Sequence, residues 1–410
     1  MNSPWRVMRV EDVAAKQPHS IAIGPFGSRM KADQYVASGI PVVRGANITN
    51  SRTPTGDFVY VNEATAESMP GCILRRGDVV FPHRGAIGEV GYIDASIYPR
   101  MMLSTSLMKL TPDPDIADFK FVYYYFRSEV GRSELLMRSS TVGTPGIGQP
   151  LSSLRSIPIP VPPLSEQRGI AATLGALDDK VESNGHKIAL LEELAQAHFV
   201  RLFDIDLVED GVAISELVNV NPTRSLPKGQ QATYVGMASL AEFSAEIYEW
   251  EEKAAGSGQR FITGDVLMAR ITPCLENGKT AVVDMLAPGE VGWGSTEYVV
   301  LAPREECKTP WIYCLARSES VRAFAVSSMS GTSGRQRFHA DRFDQYKIAP
   351  PRKAALQEFN ALAEPMFKLM TSMRDEVLQA RALRDVLLPE LLSGRIRVAE
   401  AEEAVAGIRP

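Results

Sequence analysis

The residues best able to do chemistry in this 410-residue chain are scattered rather than gathered. Cys72, Cys274, Cys307 and Cys314 form no CxxC pair, so they point to reduced structural thiols rather than a zinc site or a disulfide framework. His19, His83, His186, His198 and His339 include no HExxH pair, and no metal chemistry is visible. Gly143-Thr144-Pro145-Gly146-Ile147-Gly148 has the glycines of a phosphate loop but lacks the Lys-Ser/Thr pair that would meet phosphate and magnesium. Asn221-Pro222-Thr223 falls short of the Asn-Pro-Pro-aromatic motif of amino-methyltransferases, and no glycine-rich cofactor loop precedes it. There is no GxSxG. The chain reads as non-catalytic, with no metal and no cofactor of its own.

What remains is a set of polar and basic side chains, and the elements that hold them say nearly the same thing twice. Gly77-Asp78-Val79-Val80 returns as Gly264-Asp265-Val266-Leu267, Ser104-Thr105 as Ser295-Thr296, and Arg127-Ser128 as Arg317-Ser318. Gly143-Thr144 returns as Gly331-Thr332, and Pro162-Pro163 as Pro350-Pro351. The offsets are 187, 191, 190, 188 and 188, and one order kept with so little drift implies two copies of one domain, each followed by a spacer.

Each copy mixes short β-rich runs with a helix. In the first, Ile40 to Val43, Val79 to Phe81, Val90 to Ile93 and Leu107 to Leu110 read as strands, with a helix from Phe119 to Met137. In the second, Thr233 to Val235, Val266 to Met268, Thr280 to Val283 and Tyr298 to Leu301 read as strands, with a helix from Trp311 to Val326. Both then enter a Gly/Ser/Thr-rich stretch, Ser139 to Gln149 and Ser327 to Gln336, which is a candidate contact surface because it occurs in both. Both leave through prolines, Ile157 to Pro163 and Ile348 to Pro351, which should be extended and aim the next helix.

After the first exit, Ser165 opens a helix whose apolar positions alternate by four and three: Ile170, Leu174, Leu177, Val181, Asn184, Ile188, Leu191, Ala195, His198 and Leu202. After the second, Phe359, Ala363, Met366, Met370, Met373, Val377, Ala380, Arg384, Leu387 and Leu391 keep that rhythm, with Pro365 expected to kink the helix or delay its regular part. A helix of about 39 residues spans roughly 55 to 60 Å. Two such stripes are most simply buried against each other, antiparallel; the other option is that each packs on its own domain. Asn184, His198 and Arg384 on the seam either fix register or face solvent. The fold class expected is therefore α+β: two repeated, mostly β domains separated by two long antiparallel helices in a coiled coil, with an approximate twofold relation.

The formal net charge of -5 is uneven. Residues 1–160 carry +3, residues 161–210 carry -6, residues 211–350 carry -2, and residues 351–410 are neutral. Acid is concentrated in the first spacer, so nucleic acid is permitted, provided that the second copy supplies a local basic cluster. No run approaches the roughly 20 apolar residues of a membrane span, and residues 1–30 lack a signal-peptide core, making the cytoplasm the expected location.

Several stretches carry a resemblance: GIPVVRGANI (39–48), RRGDVVFPHRGAIGEVGYI (75–93), IPIPVPPLSEQRGIAATLGALDDKVESN (157–184), LLEELAQAHFVRLF (190–203) and LRDVLLPELLSGRIRV (383–398). With these the chain resembles the specificity subunit of a type I restriction-modification system over almost its whole length. The proline exit followed by Ser165-Glu166-Gln167 is the most specific feature, and the second exit departs from it with Arg352-Lys353-Ala354-Ala355-Leu356-Gln357. The resemblance implies target-recognition domains at 1–160 and 207–350, a central spacer helix at 161–206, a C-terminal spacer helix at 351–394 and a flexible tail at 395–410. It implies that each domain reads one half of a bipartite site on double-stranded DNA. The partners implied are two methyltransferase subunits, which would supply S-adenosylmethionine chemistry on adenine, and motor-nuclease subunits using ATP and Mg. Competing readings are a two-headed scaffold binding protein or glycan, and a specificity subunit of a methylation-only system.

On this reading the DNA-contacting candidates are polar or basic residues on Gly-bordered loops, since Arg, Lys, Asn, Gln, Ser and Thr read bases and hold phosphates. In the first copy they are Ser28, Arg29, Lys31, Arg44, Asn47, Arg84, Thr144 and Gln149. In the second they are Arg224, Lys228, Arg260, Arg270, Asn277, Lys279, Arg335, Gln336 and Arg337, the last three supplying the basic cluster required there.

Overall fold

The computed structural model describes residues 5–26, 30, 32–49, 51–94, 98–140, 145–332 and 334–407. It divides into two compact units, Met1–Asp179 with Arg381–Pro410, and Lys180–Ala380. The border falls inside each long helix, so the helices are not separate spacer bodies: each half-helix belongs to the unit whose domain it packs on.

In the first unit an antiparallel sheet orders Ile21–Ile23, Leu107–Leu110, Val79–Pro82 and Gly91–Tyr92. A second sheet orders Tyr35–Val36, Val59–Val61, Ile40–Val43, Met101–Leu103 and Ile73–Leu74, with one parallel pair that sets Val42 opposite Met102. The second unit repeats this. One sheet orders Asn219–Val220, Tyr298–Ala302, Val266–Ala269 and Thr280–Val282; the other orders Glu251–Ala254, Gln231–Val235, Gly292–Gly294 and Arg260–Phe261, again with one parallel pair, Tyr234 opposite Trp293. Both proline exits are strands of two-stranded ribbons, Pro158–Val161 on Arg6–Arg9 and Lys347–Ile348 on Val212–Ala213.

The strands read as continuous apolar runs because both faces are covered. In the second unit Leu267 and Val300 face the other sheet with Val235 and Phe261, while Val266, Met268, Val299 and Leu301 face the helical layer with Trp311 and Phe199, as the two-residue strand period requires. The helix expected at 119–137 is two helices, Phe119–Arg127 and Glu129–Leu136, and that at 311–326 is Thr309–Arg317 and Glu319–Ser327. The repeated Arg-Ser pair is the joint. Ser128 and Ser318 are extended, with ψ of 158° and 147°, and their hydroxyls donate to the carbonyls of Tyr125 and Leu315, both at 2.6 Å.

The repeated Gly-Asp is also structural. Gly77 and Gly264 turn with φ of 90° and 96°, where a side chain would be strained. Asp78 and Asp265 are buried and accept from the backbone N–H of Arg75 (2.9 Å) and Ile262 (2.8 Å). Each also holds a cation: Lys109 at 2.9 Å for Asp78, and Arg224, bidentate, for Asp265. Burial pushes the Asp265 carboxyl up, against the pull of Arg224.

The long helices are Leu164–Leu202 and Lys353–Ser393. Within each unit their segments pair antiparallel and also pack on the domain, so both options for burial are realised together. In the first unit Asp178 meets Arg384 at 2.8 Å while Glu166 meets Arg397 at 3.0 Å. In the second, Glu376 accepts from Asn184 at 2.7 Å and Lys180 at 2.8 Å, and Arg201 meets Glu358 at 3.3 Å. Of the expected seam, Ile170, Leu174, Leu177, Ile188, Met370, Val377 and Leu387 are buried, and Val181, Leu191, Met366 and Met373 half-buried. Asn184, buried, also donates to the Met373 carbonyl, so it and Arg384 fix register; His198 lies against Phe359 and accepts at Nδ1 from Arg201.

Gln167 explains why a glutamine follows the first proline exit. Fully buried, it donates to the carbonyls of Ile116 (3.0 Å) and Pro162 (2.8 Å) and accepts from the N–H of Asp118 (2.8 Å), tying exit, helix start and spacer together. The second unit has no glutamine there; Asn360 donates to the carbonyl of Glu306 at 2.9 Å from farther along the helix. Two expectations are corrected. The second long helix is already regular from Lys353 and continues through Pro365, so the proline does not delay its start. The segment expected as a flexible tail contains a helix, Val398–Ala406, because its apolar stripe is covered: Ala401 and Val405 are buried and Val398 lies against Gly169.

Candidate nucleic-acid interface

In both units the Gly/Ser-rich stretch folds back onto the end of the same strand. In the second unit, Val266–Ala269 runs into Arg270, and the returning segment is pinned there by Phe338 N–H to the Arg270 carbonyl (2.8 Å) and Thr272 N–H to the Gln336 carbonyl (3.1 Å). Ser330 and Arg337 exchange both backbone hydrogen bonds, at 3.0 and 2.9 Å, which brings these two residues side by side. In the first unit Val79–Pro82 runs into His83; Ile147 N–H reaches the His83 carbonyl (3.0 Å), Gly85 N–H reaches the Pro145 carbonyl (3.1 Å), and Ser139–Ser140 pairs with Gly146–Ile147. This pattern matches His83 with Arg270, Arg84 with Ile271, Ser106 with Glu297 and Gly146 with Arg337.

The side chains at this shared address differ. In the second unit Glu297 accepts from Arg337 Nε at 2.9 Å and from Arg270 Nε at 3.3 Å. The Arg337 hydrogen bond, followed by the charge of Arg270, holds the Glu297 carboxyl below the usual range. Asn277 donates to Glu242 at 2.6 Å, and Lys279 to the Met237 carbonyl at 3.2 Å. Arg335 is exposed, with no side-chain partner among the described residues, and Gln336 is half-buried beside it. In the first unit His83 is buried, its Nε2 against the Thr105 carbonyl at 3.1 Å; burial, with help from Arg84, lowers its pKa and keeps the ring neutral. Arg84 and Gln149 are exposed on either side of the returning segment.

The other candidates lie elsewhere. Asn47 is buried and donates to the carbonyls of Thr55 (2.8 Å) and Asp57 (3.0 Å); Arg44, half-buried, also donates to Asp57. Arg224 is bound to Asp265, and Arg260 ties down the carbonyls of Gly256 and Gly258. All four hold the fold. Lys228 is exposed in a turn paired with Ala255 on the other sheet. Ser28, Arg29, Lys31 and Thr144 lie outside the described residues. His83 and Glu297 were not singled out in the sequence. Their signal is a position tied to a repeated run yet differing between copies: Glu297 follows Ser295-Thr296 where Ser106 follows Ser104-Thr105, and His83 stands three residues after Val80 as Arg270 stands three after Leu267.

Among the described residues no group of three or more His, Cys, Asp or Glu side chains is placed to hold a metal ion, and no helix is long and apolar enough to cross a membrane.

Residues 2–193 match the model of the type I restriction modification DNA specificity domain family. The similarity extends further. The chain is 23% identical to the type I restriction enzyme MjaIX specificity subunit of Methanocaldococcus jannaschii, over 97% of this chain and 94% of that one. It is 21% identical to the HindI specificity subunit of Haemophilus influenzae, over 83% and 93%. A solved type I restriction-modification S subunit from M. genitalium shares the fold, with a TM-score of 0.60 at 14% identity over 95% of this chain and 96% of that one. The resemblance read from the motifs is thereby borne out, as is the α+β fold with repeated domains and long paired helices.

Proposed function

We propose that this chain is the sequence-reading subunit of a type I restriction-modification complex, with each domain reading one half of a bipartite site on double-stranded DNA. The observation that carries this is the doubled loop platform: one backbone address, built twice on one topology, and furnished with different side chains. Base edges in a major groove are told apart by such polar side chains, and two differently furnished copies suit two different half-sites. The first platform offers Arg84 and Gln149; the second offers Arg270, Asn277, Lys279, Arg335, Gln336 and Arg337. The two long helices set the gap and dock two methyltransferase subunits, which bring S-adenosylmethionine; motor-nuclease subunits with ATP and Mg complete the cleaving form. This chain contributes recognition and no bond-making step.

The test is DNA binding by the chain assembled with its methyltransferase partner, titrated with salt. Affinity should fall steeply, with a log–log slope near -0.9 for each phosphate contacted. Replacing Arg335 and Arg337 by alanine should weaken only the half-site of the second domain. Binding indifferent to salt would favour a scaffold for protein or glycan, and an equal loss at both half-sites would move the surface elsewhere.

A further inference from the structure

At the second platform the geometry points to a single base. We propose that Arg270 reads a guanine in the second half-site, with Glu297 as its positioning residue; this rests on the reading of the platform as a DNA-contacting surface.

Arg270 leaves the last residue of a central strand, its backbone fixed by Arg270 N–H to the Glu297 carbonyl (3.0 Å) and by Phe338 N–H to its own carbonyl (2.8 Å). Its Nε is held by the Glu297 carboxylate at 3.3 Å, and the side chain is 27% exposed. Among the described residues its two terminal nitrogens have no protein partner. A guanidinium gripped at Nε and open at both Nη atoms is a forked donor of fixed plane, matching the paired O6 and N7 acceptors of guanine.

A bare carboxylate at such a surface would repel DNA, and Arg337 removes that objection. It binds Glu297 through Nε and Nη2, at 2.9 and 2.8 Å, so the acid is enclosed by two cations and serves as a brace. Arg337 has spent its own fork on that contact, which leaves Arg270 as the reader. The first domain cannot repeat the contact, because His83, Ser106 and Gly146 stand at the three addresses and the imidazole is buried and neutral. The guanine is therefore read in one half-site only.

The experiment uses the assembled methyltransferase complex and duplex probes in which each base pair of its methylated motif is changed in turn. Arg270→Lys keeps the charge and loses the fork. It should cut discrimination at one G·C pair of the second half-site by about 5- to 150-fold and leave the salt slope unchanged. Glu297→Gln should reduce discrimination at that same pair, and both variants should still read the first half-site, which shows that they are folded. Undiminished discrimination at every position in Arg270→Lys, or a loss in the first half-site, overturns the assignment. The wild-type motif separates this from the broader reading: a two-part motif keeps the proposed function even where the guanine assignment fails, and its absence removes both.

Discussion

The two domains keep one frame and disagree almost everywhere that a side chain faces the loop platform. Where the first has His83, Arg84, Ser106 and Gly146, the second has Arg270, Ile271, Glu297 and Arg337. Across one backbone bridge the arginine has changed sides: Arg84 pairs with Gly146 in the first, Ile271 with Arg337 in the second. The frame also varies, under a stricter condition. The buried Asp78 is met by Lys109 from the neighbouring strand, whereas Asp265 is met by Arg224 from a preceding loop. The difference teaches that a buried charge may change partners but cannot lose one, while platform residues answer only to what they touch.

That contrast predicts its largest effect at the buried acids. Asp78→Ala strands Lys109 and Asp265→Ala strands Arg224, and each should cost on the order of 3 to 5 kcal/mol in chemical denaturation. A cost below about 1 kcal/mol in either would mean the pair is not what holds the turn. Next come the amides at the helix starts. Gln167→Ala leaves one buried and two part-buried backbone groups unpaired and should cost about 2 to 4 kcal/mol, and Asn360→Ala, with one part-buried contact, about 1 to 2. Equal costs would break the argument that the second exit is only partly tied.

A smaller effect separates the units by pH. Burial, reinforced by Asp284 and opposed by Arg374, pushes the Glu246 carboxyl up to about 8. The folded state then holds a proton that the unfolded state releases near the usual glutamate value, about 4.3. The stability this group supplies is complete below that value and is lost as pH rises towards 8. Glu246→Gln should flatten the stability of the second unit between pH 5 and 8. An unchanged slope would show that Arg374 already keeps the carboxylate charged.

Much of the frame was legible in the sequence because repetition marks what both copies need. Gly-Asp, Arg-Ser and the proline exits recur as a turn with a buried acid, a helix joint and a ribbon strand. The strand runs were readable as apolar blocks, and the seam as a four-three rhythm. The serine joint was missed because its extended geometry depends on a hydroxyl bond to the preceding turn, which periodicity does not register. The tail was missed because its helix starts with Val398 against Gly169, more than 200 positions earlier in the chain, a contact that local composition does not register. For the platform, the basic 335–337 cluster was visible as composition, but Glu297 gains its meaning only when a strand end and a returning loop meet. Asn47 and Arg224 look like any polar loop residue until folding turns them inward.

The central claim is that two heads of one design read two half-sites at a spacing set by the long helices. It is tested most directly by sequencing the methylated sites of a host carrying the complex, first with the native chain and then with four residues inserted in the helix Leu164–Leu202. The account predicts a two-part motif whose halves are unchanged while the gap between them lengthens. A single uninterrupted motif, altered halves, or a gap that does not move would contradict it.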